Sequence, residues 1–313
     1  MRIHMHHVSA LIKEFERTDH FYAKVLGYRL VKNTVNQANV KMRHLFYGDY
    51  EGTPGTILTY FEVPHIGNHY HEKAYFGTIQ LGIPVGSLTV WRDRLEHYGI
   101  AFSVQEDGLH ITDPDGMKLA LIEINEQIAP EKATRHTDIP ADKQIVRIIG
   151  AVYHVPDLEA ERTFFHKRFG FTQEGESLTD TAGRSKMTFI QTTSSKKTRF
   201  GKGTIDHIAY GVETAREVDA LYRRAIENGL EIEEYVDRGY FKSLYIRDPA
   251  GLRIEFASDE PGFTLDEPIQ KLGMRLSLPP FLEERRQEIE TYFGGENHDE
   301  RIKRNPPRNS NDK

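Results

Sequence analysis

The sequence predicts an α+β fold of four modules, each containing a strand, a helix and three further strands, followed by a C-terminal helical tail. Residues 21–28 and 164–171 both contain an aromatic pair, a helical turn, a glycine and another aromatic residue. Residues 95–100 and 225–230 form a second related pair, and each leads to an Asp-Pro-x-Gly turn and a final strand. Internal similarity of this kind indicates a fold built from repeated supersecondary units.

Local signals predict the elements in order along each module. Strand-like runs at 6–12 and 148–155 precede the helices of modules one and three. Gly27 and Gly170 indicate where these helices end, because glycine readily adopts the left-handed conformation found there. Apolar residues at helical spacing predict the helices of modules two and four: Leu88, Trp91, Leu95, Val218, Leu221 and Ala225. The Asp-Pro-x-Gly turns reverse the chain, since proline presets φ and glycine supplies a positive φ.

The four modules group into consecutive domains along the chain. The predicted modules span 3–63, 73–126, 145–195 and 203–258, separated by polar, proline-containing linkers. The predicted domain organisation is 3–126 (modules one and two), 145–258 (modules three and four), a helical extension over 259–293 and a disordered tail over 294–313. The tail prediction rests on its polar composition and its two adjacent prolines.

Composition limits the kind of protein and the kind of metal site. The 313 residues are 38% hydrophobic and 28% charged, which predicts a sizeable core. Lys and Arg number 41 against 47 Asp and Glu, a net charge of −6, which argues against nucleic-acid binding. Without a long apolar segment, the expected location is the cytoplasm, away from membranes. With no cysteine and 15 histidines, any bound metal should take imidazole and carboxylate ligands.

Four such modules in two tandem pairs resemble the vicinal oxygen chelate superfamily, which includes glyoxalase I, bleomycin-resistance proteins and extradiol dioxygenases. The resemblance covers about residues 3–258. Within and after it, residues 6–10, 52–59 and 279–283 are similar to ring-cleaving dioxygenases linked to hydroquinone resistance in Firmicutes. The resemblance implies two cupped mixed sheets, with a divalent metal held in a cup by a few His and Glu side chains.

Two candidate metal ligands lie in module four. Alternation along its last strand places Glu255 on the face opposite Ile254 and Phe256, towards the cup. The run 244–255 is similar to the later part of the extradiol dioxygenase signature, whose final Glu is a ligand. His207 occupies the superfamily's ligand position on the first strand of the module. The alternatives are an ion-paired strand glutamate and a hydrogen-bonded core histidine.

The third candidate ligand is His7 in module one. Aligned with Gly27 and Gly170, module three carries Gly150 opposite His7, so it lacks the ligand. A triad of His7, His207 and Glu255 therefore requires the first and last modules to share one cup, leaving modules two and three to form an empty one. The competing His6 has the opposite strand parity, so we expect it to face the helices. A loosely ordered terminal histidine is the alternative for His7.

Four further residues are candidates for roles around the metal. Tyr245 stands ten residues before Glu255, the family's spacing for an active-site tyrosine, although a half-buried structural tyrosine is the alternative. Arg238 occupies the slot where the signature expects a histidine; being always cationic, it can bind a phenolate but cannot act as a base. A surface arginine is its alternative. Tyr240 and Phe241 could line an aromatic pocket or lie exposed in a loop.

The resemblance implies an Fe(II)-dependent extradiol-type dioxygenase that cleaves the ring of a hydroquinone, catechol or related phenol, in aromatic or quinone detoxification. Its partners would be a small aromatic substrate and O2, and Mn(II) or another divalent metal is the alternative cofactor. The sequence leaves a homodimer open.

Two other functions remain. One is a glyoxalase-like isomerase, lyase or thiol transferase, and Thr59 counts against it because it stands where such sites carry a second Glu. The other is a protein that binds an aromatic compound without catalysis.

Overall fold

Each of the four modules contains a strand, a helix and three strands in the computed structural model, which describes residues 1–293. Module one comprises β1 (His4–Ile12), α1 (Phe15–Asp19), a π-helical continuation (His20–Val25), β2 (Arg29–Val35), β3 (Arg43–Gly48) and β4 (Ile57–Glu62). Module two comprises β5 (Tyr75–Pro84), α2 (Leu88–His97), β6 (Phe102–Gln105), β7 (Gly108–Thr112) and β8 (Lys118–Ile124). The α+β class and the module plan are therefore confirmed for the first half of the chain.

The second half repeats the plan. Module three comprises β9 (Arg147–Val155), α3 (Leu158–Phe169), β10 (Thr172–Glu174), β11 (Ser177–Thr179) and β12 (Lys186–Gln191). Module four comprises β13 (Ile205–Val212), α4 (Ala215–Glu227), β14 (Ile232–Asp237), β15 (Phe241–Arg247) and β16 (Arg253–Pro261). The helical extension follows as short 3-10 turns at Phe263–Leu265, Ile269–Lys271 and Pro280–Arg285 and a final helix, α5 (Arg286–Tyr292). None of the helices within residues 1–293 has the length and apolar composition needed to cross a membrane.

The strands form two mixed sheets of eight strands each. The first sheet has the order β14-β15-β16-β13-β1-β4-β3-β2, and the second has the order β10-β11-β12-β9-β5-β8-β7-β6. The first module thus shares a sheet with the fourth, and the second shares one with the third, which confirms the pairing that the triad requires. The domain boundaries at 3–126 and 145–258 remain a prediction. The predicted disordered tail, 294–313, lies outside the described residues.

Helix ends follow the sequence signals. Helix α3 begins at Asp157, whose side chain accepts hydrogen bonds from the backbone N–H groups of Glu159 and Ala160, and it ends at Gly170 with φ of +77°. Helix α4 begins with a capping box in which Thr214 and Glu217 each bond the other's backbone N–H. The module-one helix differs from expectation, because it widens to π-helical geometry after Asp19.

Side chains along the strands alternate between the hydrophobic core on one face of the sheet and the cup on the other. In β16, Ile254 and Phe256 are fully buried in the hydrophobic core, with Leu252 just before the strand. In β13, Ile208 and Tyr210 occupy the same core. The intervening Glu255 and His207 therefore face the cup, as predicted, because successive strand side chains point to opposite faces.

One orientation prediction, that of His6, is wrong. The β1–β13 ladder shifts register between Met5 and His7, so His6 is the extra residue of a β-bulge. The bulge leaves Met5 and Val8 in the core, while His6 lies against His7 with 2.8 Å between their Nδ1 atoms. His6 therefore sits beside the candidate ligand and does not face the helices.

The C-terminal extension covers β2, the edge strand of the first sheet. Ser277 N–H donates to the carbonyl of Asn33, and Leu278, Leu282 and Ile289 pack on Val35. An unpaired edge would otherwise be open to association with other strands.

A buried ionic cluster fastens this extension. The Lys32 ammonium, which has no solvent exposure, donates to Asp266 at 2.7 Å, to Glu267 at 2.6 Å and to the Phe263 carbonyl at 3.1 Å. Tyr240 donates to the other oxygen of Asp266 at 2.8 Å, so the cluster also holds one of the pocket candidates.

Replacing Lys32 should destabilise the protein strongly. Lys32→Ala leaves two carboxylates without their ammonium, and a broken buried ion pair costs ~3 kcal/mol or more. The free energy of unfolding from urea titration measures this loss. Arg285→Ala, which breaks an exposed pair with Glu288, is the control and should leave the free energy of unfolding nearly unchanged, because solvent screens exposed ion pairs. Equal small losses in the two variants would contradict the fastening role.

Candidate metal centre and aromatic pocket

The three candidate ligands lie close together on the cup face of the first sheet. Glu255 Oε2 lies 3.1 Å from His7 Nε2 and 2.9 Å from His207 Nε2, and the two Nε2 atoms are 3.3 Å apart. All three residues are buried. Within residues 1–293, this is the one group of three His, Asp or Glu residues whose ligand atoms lie within 4.8 Å of one another. The predicted convergence is therefore confirmed, and metal binding remains to be proposed.

Neighbouring side chains aim the three donor atoms inwards. His207 Nδ1 donates to Asp206 at 2.7 Å, which turns Nε2 towards the centre. His7 Nδ1 faces His6, so its Nε2 also points inwards. Ser243 donates to Oε1 of Glu255 at 2.6 Å and leaves Oε2 for the two imidazoles.

The electrostatics favour positive charge at this point. Burial alone would raise the pKa of Glu255, but the two imidazoles outweigh it and hold the pKa well below its ordinary value. Burial opposes charge on His207 as well, yet the carboxylates of Asp206 and Glu255 raise its pKa. For His7, burial prevails and lowers the pKa despite Glu255. The buried Glu255 carboxylate and the half-buried Asp206 carboxylate thus face imidazoles in a position where a cation is stabilised.

The donor set fits a divalent metal ion. Within the described residues, Glu255 Oε2 accepts no well-aligned hydrogen bond, although two imidazole nitrogens lie close to it. Metal–ligand distances of about 2.1 Å place adjacent donor atoms about 3 Å apart, close to the spacing seen here. Two imidazoles and one carboxylate also form the facial set found on non-haem Fe(II), which leaves neighbouring positions open.

A cavity of about 120 Å³ opens beside the two histidines. Its walls come from module one and module four, with strands of both contributing aromatic rings. The lining residues are His7, Thr34, Val35, Asn36, Gln37, Ala38, His44, Phe46, Phe61, His207, Glu234, Arg238, Tyr240, Phe241, Tyr245 and Arg253. The cavity is of the size that admits a single aromatic ring, since benzene occupies one of about 150 Å³.

Tyr245 and Arg238 both line this cavity. The Tyr245 ring lies edge-on to His207 with 5.5 Å between centroids, and burial raises its pKa, so the phenol keeps its proton. The Arg238 guanidinium lies 5.4 Å from the centre of the Tyr245 ring and 2.6 Å from Glu234. Arg238 is therefore part of the pocket wall, where its positive charge faces the cavity region.

Tyr240 and Phe241 are buried rather than exposed in a loop. Phe241 packs against both His6 and His7, with its ring centroid 5.4 Å from that of His6 and 5.6 Å from that of His7. Tyr240 reaches the cavity and also bonds Asp266 of the extension. Both residues thus line the pocket, and their roles with a substrate remain predictions.

Sequence reasoning missed His44. Its ring stacks on Phe61 with 4.0 Å between centroids, and its Nε2 lies 3.0 Å from the Thr59 hydroxyl. Burial holds its pKa well below the ordinary value, so the imidazole is neutral. Alternation along β3 could have placed His44 on the cup face, but its closeness to the ligands depends on β3 lying two strands from β1.

The comparisons with known proteins agree with this fold. Residues 147–256 match the Glyoxalase/Bleomycin resistance protein/Dioxygenase superfamily. The chain is 33% identical over 304 residues to the "Putative ring-cleaving dioxygenase MhqA" of Bacillus subtilis (strain 168), with 91% of this chain and 96% of that protein covered. It is 27% identical to the chlorohydroquinone/hydroquinone 1,2-dioxygenase of Sphingobium indicum, with coverage of 91% and 94%.

A solved structure extends the likeness to three dimensions. The crystal structure of a "putative dioxygenase" from Bacillus subtilis superposes with a TM-score of 0.85 at 27% identity, covering 93% of this chain and 96% of that one. The likeness therefore extends over nearly the whole chain. The chain therefore belongs to the glyoxalase/bleomycin resistance protein/dioxygenase superfamily, in the group of relatives that includes MhqA.

Proposed function

We propose that this protein is an Fe(II)-dependent dioxygenase that opens the ring of a hydroquinone, catechol or related phenol. The observation that carries the proposal is the meeting of His7, His207 and Glu255 beside an aromatic-lined cavity. The relatives support the reaction class, because one is named a ring-cleaving dioxygenase and another a hydroquinone 1,2-dioxygenase. Detoxification of quinones and related aromatic compounds is the role we propose for such an activity.

The proposed cofactor is Fe(II) on the three ligands. Bound there, Fe(II) would supply adjacent open positions for a phenolic oxygen and O2 and a path for electrons between them. Mn(II) accepts the same donor set and is the second candidate metal.

The remaining residues would bind the ring and move protons. Phe46, Phe61 and Phe241 form apolar walls that hold an aromatic ring and exclude water. Arg238 offers a fixed positive charge that stabilises a phenolate. His44, which lines the cavity, is the proposed acceptor of the phenolic proton, and Tyr245, which keeps its own proton, is the proposed hydrogen-bond donor to the reacting oxygen.

The position of Thr59 favours oxygenase over isomerase chemistry. Isomerases of the glyoxalase type carry a second Glu there, whereas Thr59 is fully buried and its hydroxyl contacts Ser9 at 2.7 Å and His44 at 3.0 Å. The proposed site therefore has three protein ligands, two imidazoles and one carboxylate, and leaves the other coordination positions of the metal to substrates.

Removing any ligand should abolish metal binding. After anaerobic loading with Fe(II), the wild type should hold about one metal per chain by elemental analysis, and His7→Ala, His207→Ala and Glu255→Ala should hold almost none. His154→Ala is the matched control, since His154 lies on β9 of the second sheet, stacked on Tyr75. Full metal content in any of the three ligand variants would contradict the assignment.

The Fe(II)-loaded protein should consume O2 with a single-ring substrate. Hydroquinone, catechol and substituted forms would be tested with an oxygen electrode, and ¹⁸O2 should place both labelled atoms in a ring-opened product. Two-ring diphenols should react poorly because the cavity admits about one ring. A metal-loaded protein that binds these phenols tightly without O2 uptake would indicate a binding protein instead.

His44 should be needed for turnover but not for metal binding. We expect His44→Gln and His44→Phe to lower kcat by about 10²–10⁴-fold, because positioned proton transfer contributes that much, while metal content stays at the wild-type level. His44→Phe keeps a ring stacked on Phe61, so it separates packing from proton transfer. If His44→Phe kept the wild-type kcat, the imidazole of His44 would have no role in proton transfer.

A further inference from the structure

Arg253 contacts both Asp206, the partner of a proposed metal ligand, and the pocket residue Tyr245. It stands two residues before Glu255 on β16, and the β13–β16 ladder places it directly opposite His207. Its guanidinium lies 4.1 Å from the centre of the Tyr245 ring. The Arg253 side chain is thus close both to His207 and to the ring of Tyr245.

The contact towards the ligand runs through Asp206. Arg253 Nη1 lies 3.1 Å from Asp206 Oδ2, the same oxygen that accepts the Nδ1–H of His207 at 2.7 Å. A carboxylate shared in this way is held on both sides and cannot rotate without losing one partner. The imidazole of His207 is therefore fixed in the tautomer and ring plane that present Nε2 to the centre.

The contact towards Tyr245 is a face contact between a guanidinium plane and an aromatic ring. Arg253 is itself anchored, because its Nε lies 3.1 Å from Glu233 and its Nη2 lies 3.6 Å from Glu234. Its side chain is only 19% exposed, and an anchored planar cation keeps a ring in place better than a mobile one.

We propose that Arg253 is a positioning residue that orients His207 through Asp206 and fixes the ring of Tyr245, so that the metal ligand and the pocket tyrosine are aligned as one unit. This inference rests on the proposed metal centre, but it does not require that the metal-bound protein turn over any particular phenol. Loss of Arg253 would loosen both neighbours while leaving all three ligands in the chain.

The test is the affinity of the full-length protein for Mn(II), measured by equilibrium dialysis or by the EPR signal of free Mn(II). Arg253→Gln and Asp206→Asn should each weaken Mn(II) binding by about 10–100-fold, the usual effect of losing a partner of a metal-bound histidine. The double variant should be little weaker than either single one, because the two residues act in series. Arg253→Lys should recover part of the affinity, since it keeps a cation beside Asp206 without the planar fork.

Arg247→Gln is the matched control. Arg247 is an arginine of the neighbouring strand whose Nη2 also pairs with Glu233, at 3.0 Å, and its guanidinium is no part of the Asp206–His207 contact described above. It should retain wild-type Mn(II) affinity and kcat. Thermal unfolding checks that each variant is folded, and Asp206→Asn provides the measurement if Arg253→Gln does not fold.

The outcomes separate this inference from the proposed function. Absence of Mn(II) binding in the wild type would overturn the metal centre and this inference with it. Tight wild-type binding with unchanged affinity in Arg253→Gln and Asp206→Asn would overturn this inference alone. A rise in KM for a phenol with unchanged kcat and Mn(II) affinity would make Arg253 a substrate-binding residue and overturn its positioning role.

Discussion

The structure depends on the pairing of β1 with β13, which joins the first module to the last. This antiparallel ladder places His7 opposite Ala209 and His207 opposite Ser9, so the two imidazoles become diagonal neighbours although 200 residues separate them. The parallel pairing of β13 with β16 then adds Glu255 beside Ala209. Because register on a half-buried sheet is set by which face is apolar, the packing of the core also fixes the geometry of the proposed metal centre.

The second sheet has the same architecture without the donors. In the second sheet Gln80 pairs with Gly150 and Ala120, just as Ala209 pairs with His7 and Glu255 in the first sheet. Gly150 and Ala120 therefore stand where His7 and Glu255 stand, and Thr78 stands where His207 does. A Cβ at Gly150 would come within 2.5 Å of the Gln80 side-chain oxygen and within 2.7 Å of the Lys186 carbonyl oxygen. Neighbouring atoms thus occupy the space that a side chain at Gly150 would need, and the second sheet has no imidazole or carboxylate at these three positions.

Sequence reasoning succeeded where a single repeat, either the two-residue alternation of a strand or the repeat of the modules, determines the position of a side chain. Alternation between Ile254, Glu255 and Phe256 was enough to direct the carboxylate into the cup, and the module repeat was enough to select His7 over Gly150. It failed at His6 because a bulge inserts a residue and breaks the period, and it missed His44 because sheet order is a non-local property. The roles of Tyr245 and Arg238 could be suspected from spacing, but their shared contact with each other required coordinates.

The bulge at His6 makes the two candidate histidine ligands chemically unequal. His207 is backed by a carboxylate whose pKa lies at about 2, because the His207 and Arg253 contacts outweigh its burial, whereas His7 is backed by a second imidazole. Burial, helped by His7, lowers the pKa of His6 to about 3, so this partner is neutral. A carboxylate partner raises the basicity of a metal-bound imidazole more than a neutral partner does. At the proposed metal centre, His207 should therefore be the stronger donor of the pair, and the contacts of Asp206 and Arg253 should influence a bound cation more than those of His6.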